Sequence, residues 1–405
     1  MRCDCILRVA VLAAAIVSSD AARAEDTVLS TTIDGVDIRM WIPEGVKVLR
    51  GAIANPADVS VGAGGAWAEV FRNLDFGHVG MMLQNMNRGS RATIIRKALE
   101  AALKEFGAKS GHPEFETMPL VFGGMSKGGG WSRDVALAIP QRAVAYSNVC
   151  CWVADAEKAG EAGRKVPAVF VIGSVPDGFK MLDAIPAQYD PGRRAGALWM
   201  LALQWGAAHD YHNANALAMP FLEAMIRARL PRETPAAGPV KLAELKEDDG
   251  WLGDRATWEG HWATIAPWAE YQGDKAAAVW LPNRAIACVW RAFVSKDPPV
   301  RLDVSTADGA VKLPAGPKRQ MVVESGAAMV LEAVATEGTG VKKVQFYDGD
   351  ALIGEAVRGP WQATWKNPPS GAHGVFAVWY SADDKPAASN PGLVVVRRGP
   401  GSGKS

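Results

Sequence analysis

Cysteine and histidine are scarce in this chain, and neither sign of charge prevails. Five cysteines and six histidines are spread over 405 residues. Forty-four Lys and Arg face 43 Asp and Glu, for a formal net charge of +1. With no Lys/Arg run either, nothing resembles the electrostatic footprint of a nucleic-acid-binding protein. Beyond the N-terminus no run reaches the roughly 18 apolar residues that a membrane span needs. What is present is ordinary for a globular chain: 49% hydrophobic and 21% charged residues, enough for a large core. The length exceeds what one typical domain needs, so a second is expected.

The first 24 residues read as a signal peptide. Arg2 and Arg8 come first, nine apolar residues follow from Val9 to Val17, and Ala22-Arg23-Ala24 is a small-x-small cleavage site. No cysteine follows the apolar run where a lipoprotein signal would place one. The mature chain is therefore expected to begin near Glu25, in the periplasm or outside the cell. Cys150, Cys151 and Cys288 then remain. An oxidising compartment permits a bridge from Cys288 to one of the adjacent pair, or less readily within that pair; three buried thiols is the open alternative.

From residue 27 to 173 short apolar runs alternate with helical stretches. Strands are predicted at 36–41, 51–55, 79–83, 119–122, 143–147 and 168–172, and helices at 90–106 and 131–138. This alternation implies a mostly parallel sheet covered on both faces, and the unbroken apolar run Val169-Phe170-Val171-Ile172 fits a strand buried on both sides. Further helices are predicted at 194–205 and 216–229. Residues 240–297 carry six tryptophans without a clear period and read as an irregular, partly helical extension of the first domain. After Asp297-Pro298-Pro299 the texture changes to short strands at 300–304, 329–335, 341–347, 351–355, 361–365, 375–380 and 393–396, the pattern of an immunoglobulin-like sandwich. The expected division is a signal peptide at 1–24, an α/β domain at 25–297, a sandwich at 298–398 and a disordered tail at 399–405.

One motif carries chemistry. Gly124-Met125-Ser126-Lys127-Gly128 fits G-x-S-x-G, with a predicted strand before it and a predicted helix after it. So tight a strand–helix turn tolerates little beyond hydrogen at its flanks, and it holds Ser126 at the tip with its hydroxyl exposed. The helix N-terminus behind it favours developing negative charge, and the Lys127 N–H is one candidate oxyanion donor. A serine needs a base, and the base needs an orienting acid. In this arrangement the acid follows a later strand, which places Asp177 after 168–172, with Asp183 and Asp190 as fallbacks. The base comes last: His209, preferred over His212 for its closeness to the Trp205-Gly206 turn. His78 and His112 precede the serine, while His261 and His373 lie in the extension and the sandwich. A second oxyanion donor is expected near Ala57, in the loop after 51–55.

The stretch from about 50 to 230 resembles the secreted bacterial α/β-hydrolases related to dienelactone hydrolases and polyhydroxyalkanoate depolymerases. The matching text is His112-Pro113-Glu114, the Pro119–Gly129 run around the serine, Arg142-Ala143-Val144-Ala145-Tyr146, Gly196-Ala197-Leu198-Trp199, Trp205-Gly206 and His209. The resemblance implies an α/β-hydrolase fold and ester hydrolysis through serine, aspartate and histidine, mapping to Ser126, Asp177 and His209. Two departures stand out: Met125 and Lys127 replace smaller or aromatic residues, and the approach to Asp177 is long. Phrases such as Val344-Gln345-Phe346-Tyr347-Asp348-Gly349 and Leu352-Ile353-Gly354 resemble bacterial Ig-like modules. The function this predicts is an exported serine esterase acting on a small or polymeric ester through an acyl-enzyme. The competing expectations are a non-catalytic polymer- or surface-binding protein on the same scaffold, with contact through the Ig-like module, and an acyltransferase. No cofactor is implied. No metal is expected either, because Asp348-Gly349-Asp350 offers far fewer oxygens than a calcium site uses.

Overall fold

The computed structural model describes residues 26–62, 64–85, 91–175, 181–235, 237–335 and 340–399. The expected signal peptide, Asp177 and all but the first residue of the expected tail lie outside these residues. The chain starts with a hairpin of β1 (Thr27–Ile33) and β2 (Val36–Ile42), whose turn residues Asp34 and Gly35 both have positive φ, at 52° and 75°. That conformation matches the right-handed twist of the strands, and Asp-Gly is a preferred pair for it. The α/β pattern follows. Its first half is β3 (Gly51–Pro56), α1 (Gly65–Asn73), β4 (Phe76–Leu83), α2 (Arg91–Ser110), β5 (Leu120–Met125) and α3 (Lys127–Ala138). Its second half is β6 (Ala143–Val149), α4 (Ala156–Arg164), β7 (Ala168–Gly173), α5 (Ile185–Arg194), β8 (Trp199–Gln204) and α6 (Asn215–Arg229).

These eight strands form one sheet in the order β1-β2-β4-β3-β5-β6-β7-β8. The hairpin and β4 pair antiparallel; every contact from β4 through β3 to β8 is parallel. Parallel strands covered by helices on both faces have no wet side, and β6 and β8 are buried at every position. The C-terminal ends of β5 to β8 share one edge of the sheet, where the loops after them collect.

One sequence expectation is corrected here. Residues 194–205 are not a helix. Helix α5 ends at Arg194, Gly196 takes φ 74°, and the Ala197 and Gly196 N–H groups donate to Gly192 O and Arg193 O, both at 2.9 Å. This pair of bonds is a Schellman stop. Trp199–Gln204 then runs as β8. The 3–4 spacing of Leu198, Leu201 and Ala202 imitates a helix because a doubly buried strand shows no alternation.

The extension at 240–297 contains a small sheet of β9 (Trp251–Gly253), β10 (Ile265–Pro267) and β11 (Val279–Leu281), followed by α7 (Arg284–Phe293). Trp280 and Trp290 are fully buried. Arg193, on α5 and itself buried, donates to Ala278 O at 2.9 Å and pairs with Glu247 at 2.7 Å, so the extension is tied to the main domain from inside.

The sandwich has a three-stranded sheet of β12 (Val300–Thr306), β14 (Met329–Ala335) and β17 (Gln362–Trp365). Its second sheet runs β13 (Gln320–Val323), β20 (Gly392–Val396), β18 (Gly371–Ser381), β15 (Val341–Asp348) and β16 (Ala351–Ala356), with β19 (Pro386–Ala388) also paired to β18. The module is not loosely tethered. Along β18, Val375, Ala377 and Trp379 point into the sandwich, while Phe376 and Val378 belong to the core of the α/β domain. Along β20, Val394 and Val396 face inward, and Leu393 and Val395 face the α/β domain. Side chains alternate across a strand, so this sheet is a shared wall between two cores. Helices α1, α6 and α7 pack on it. Polar clamps frame the contact: Glu223 accepts from the Ala372 N–H at 2.7 Å, Asn73 donates to Val396 O at 2.8 Å, and Arg398 pairs with Asp75 at 2.7 Å.

Candidate active site

The site is built around the turn between β5 and α3. Ser126 sits between the last residue of the strand and the first of the helix, at φ 54° and ψ −125°. A non-glycine residue rarely adopts this conformation, which costs on the order of 1–3 kcal/mol, and the surroundings must impose it. They do so sterically. A Cβ on Gly124 would lie 2.5 Å from the carbonyl carbon of Gly128, and one on Gly128 would lie 2.7 Å from Pro56 O. One on Gly129 would lie 2.6 Å from Asn148 Oδ1. The glycines therefore let strand, turn and helix touch backbone to backbone. The Ser126 N–H is used by Val149 O at 2.9 Å, which ties the turn to the end of β6.

Lys127 is the first residue of α3, where amides find no carbonyl within the helix. Its side chain is exposed, and its N–H has the placement expected of an oxyanion donor. Ala57 does not fill the matching role. It lies against the turn, its Cβ 3.5 Å from the position a Cβ on Gly128 would take, but its N–H donates to Met81 O at 2.7 Å. An amide engaged in a bond to the neighbouring strand is turned away from a reacting oxygen. The loop after β3 continues the pairing with β4 for longer than the sequence suggested, through an Asp58–Met81 bridge.

His209 is in the loop between β8 and α6, at the same edge of the sheet as Ser126. Contacts to the ends of β6 and β7 hold this loop in place. A Cβ on Gly173, the last residue of β7, would meet Ala207 O and Ala208 O, both at 2.5 Å, so the loop crosses directly over β7. The Val175 N–H donates to Ala207 O at 2.9 Å, and the Gly206 N–H to Ser174 Oγ at 2.8 Å. The Cys150 thiol, just past β6, reaches Asp210 O at 3.3 Å and Ala208 O at 3.6 Å, the carbonyls on either side of His209. Gly173 and Cys150 are thus the floor of the histidine loop. Neither carried a signal in the sequence, since a glycine after a strand and a thiol beside a thiol both have commoner roles.

Tyr211 was also missed. Burial pushes its hydroxyl up to about 12, and the negative fields of Asp58 and Cys150 act in the same direction. Asp58 follows β3 and Cys150 follows β6, the two neighbours of β5. His212 lies elsewhere, lining a cavity between β8 and the sandwich. Of the fallback acids, Asp183 is exposed, and Asp190 is already paired with Arg255 at 2.7 Å. Asp177 falls outside the described residues, though the segment leading to it, Ser174-Val175, is bonded to the histidine loop. The turn with Ser126, the amide of Lys127 and the loop of His209 are brought to one edge.

None of Cys150, Cys151 and Cys288 is in a disulfide. Cys150 is occupied under the histidine loop and Cys288 is on α7, so the expected bridge between them is not made. Among the described residues no three His, Cys, Asp or Glu gather as metal ligands, and no helix is long and apolar enough to cross a membrane.

Parts of the chain are similar to known proteins. Residues 315–377 match the family model described as a bacterial Ig domain. No curated protein matches the chain. Among solved structures, a ferulic acid esterase is similar at 14% identity and a TM-score of 0.35, over 50% of this chain and 98% of that one. Dienelactone hydrolase from Anabaena variabilis is similar at 14% identity and a TM-score of 0.32, over 46% of this chain and 88% of that one. A structure of the fibronectin(III)-like modules of Clostridium thermocellum CbhA is similar at 26% identity and a TM-score of 0.19, over 23% of this chain and 93% of the other. The strand order, the turn at Ser126 and the β-sandwich make this chain an α/β-hydrolase fold joined to a bacterial Ig-like module.

Proposed function

We propose that this chain is a serine hydrolase that cleaves carboxylic esters. The observation that carries the reading is the backbone of Ser126, held at φ 54° and ψ −125° between a strand and a helix by glycines that admit no side chain. A structural serine gains nothing from that strain. A nucleophile gains an exposed hydroxyl at the positive end of a helix. Ser126 Oγ attacks the ester carbonyl, and His209 takes its proton and passes it to the leaving alcohol. Asp177 orients the imidazole, and the Lys127 N–H stabilises the oxyanion. Water, activated by the same histidine, then attacks the acyl-enzyme; the acid leaves and Ser126 regains its proton. The His212 and Asp190 placements support His209 and Asp177 over their nearest rivals in the sequence. Export through the segment at 1–24 belongs to the same proposal, and N-terminal sequencing of the mature protein tests it, with a start near Glu25 expected.

The test is hydrolysis of a p-nitrophenyl ester series by the mature protein beside Ser126→Ala. The variant is expected to lose at least about 10³-fold in kcat while melting like the parent. A fluorophosphonate probe should label the parent at Ser126 alone. Absence of both hydrolysis and labelling in the folded parent would leave the scaffold-binding alternative standing.

A further inference from the structure

A cavity of about 300 Å³ lies where the β8–α6 loop meets the Ig-like module. Gln204, Trp205, His212 and Phe293 line it from the α/β domain, and Pro317 and Arg319 from the module. Its polar atoms are unusual for a buried seam. Gln204 is 4% exposed, and its Oε1 accepts from the Asn213 N–H at 2.9 Å, yet its Nε2 has no partner. Arg319 gives its two Nη groups to carbonyls, Asn390 O at 3.4 Å and Leu302 O, while its Nε is buried without a partner. His212 Nδ1 is likewise buried without one. Buried donors left unpaired cost about 1–3 kcal/mol each, so those of Gln204 and Arg319, lining one cavity with a third unpaired nitrogen on His212, call for an explanation.

The charge argument narrows it. Burial lowers the pKa of Arg319 and the field of Asp303 opposes this, yet a guanidinium stays charged at any physiological pH. Asp303 is itself held by Arg301 at 2.8 Å. Among the described residues no carboxylate pairs with Arg319. A half-buried guanidinium whose partners are neutral carbonyls, an amide NH₂ and an imidazole nitrogen around one small space suit an acceptor carrying negative charge. The cavity is at the lower end of ligand-pocket volumes, which limits the occupant to a small acid.

We infer that this interdomain cavity, completed by Arg319 of the Ig-like module, is a subsite for a carboxylate. It deepens the hydrolase reading and rests on it in one respect only. Gln204 ends β8 and His212 lies in the loop that carries His209, so the same segment borders the cavity and the proposed active site, and the kinetic comparison below decides whether the carboxylate is the substrate's. The module is then part of the recognition surface beside the active site.

The experiment is calorimetric titration of the full mature chain with glutarate and with neutral glutaramide, which needs no turnover. Glutarate is expected to bind at least tenfold more tightly than glutaramide. Gln204→Glu keeps the oxygen that Asn213 needs and supplies its own carboxylate to the cavity, so it should fold normally and bind glutarate at least tenfold more weakly. Arg319→Met should do the same; because it gives up two carbonyl contacts, its melting temperature is read alongside. In parallel, the parent should favour p-nitrophenyl hydrogen glutarate over p-nitrophenyl valerate in kcat/KM if the carboxylate is the substrate's. Glutarate binding with no such preference assigns the site to free acid. Equal binding of the acid and the amide, no binding at millimolar concentration, or an unchanged affinity in Gln204→Glu overturns the inference. Loss of all hydrolysis with glutarate binding intact would instead count against the serine mechanism alone.

Discussion

Three consecutive glycines, 128 to 130, follow Lys127 in the first turn of the helix behind Ser126, and replacing each with alanine should give three different results. In an unconstrained helix, alanine is favoured over glycine by about 1 kcal/mol. At Gly130 the nearest atom to an added Cβ is Cys151 Sγ at 3.4 Å, an ordinary contact. Gly130→Ala should therefore be neutral or stabilise by a few tenths to about 1 kcal/mol, with full activity. At Gly128 the added carbon would lie 2.7 Å from Pro56 O, a backbone atom of a sheet strand. To reach the 3.4 Å where ordinary contact begins, α3 must move away from the end of β3 by about 0.7 Å. Overpacking of this kind costs about 1–3 kcal/mol, which outweighs the helix gain. The movement also displaces Ser126 and the Lys127 amide, and a misplacement near 1 Å can cost about 10²-fold in rate. Gly129→Ala falls between, because its first contact, Asn148 Oδ1 at 2.6 Å, is a side-chain atom, although Gly124 O follows at 2.9 Å. Ester hydrolysis and thermal melting of the three variants provide the assay. Gly128→Ala matching Gly130→Ala in both would refute the claim that backbone crowding holds Ser126 in place.

Burial lowers His78 to about 4 from its ordinary 6.5, only partly offset by the field of Asp58, so the folded chain resists a proton that the unfolded chain accepts. The stability involved is complete above pH 6.5 and is lost as pH falls toward 4. Between pH 7 and pH 5, His78→Phe should lose about 2 kcal/mol less than the parent in urea titrations, and identical losses would be inconsistent with this burial. His373 acts in the opposite sense. Burial disfavours its charge, but Asp348 at 2.7 Å and Pro369 O at 2.8 Å raise its pKa overall, so its contribution is present at low pH and fades as pH rises through the folded value. Asp348→Asn should flatten that alkaline-side loss in the same titrations. The shared wall at β18 and β20 predicts a single calorimetric transition for both units. Phe376→Ala, at a side chain 3% exposed within the α/β core, should lower that transition as a whole by about 3–5 kcal/mol; two separate transitions would show that the cores are independent.

How much of this was legible in the sequence follows from which interactions are local. The turn at Ser126 was legible because its requirement is written in adjacent residues: only glycines allow strand and helix to touch at that distance. That Ser126 and His209 come to one edge was legible for a related reason, since each follows a strand and parallel strands deliver their ends to one edge. Strand β8 was misread because burial on both faces erases the period of two, leaving leucines whose spacing imitates a helix. Ala57 was misassigned because the length of a strand's pairing depends on its neighbour; Met81 O, 24 residues on in the chain, takes the amide that the motif logic reserved for substrate.

The strands of the sandwich could be read from turns and short apolar runs, but not where the module sits. The runs Val375–Val378 and Leu393–Val396 are apolar without interruption, so the sequence already states that both faces of these strands are covered. It does not state by what. Only the folded chain sets Phe376 and Leu393 among α1, α6 and α7, and only that seating brings Arg319 to Gln204 and His212. The sequence by itself determined the turn at Ser126, the α/β order and the strand-rich module, because these rest on sterics and hydrophobic period within a few residues. The tertiary structure decided the amide of Ala57, the floor under His209 and the cavity between the units, because each depends on backbone distances between segments far apart in the chain, which no local pattern encodes.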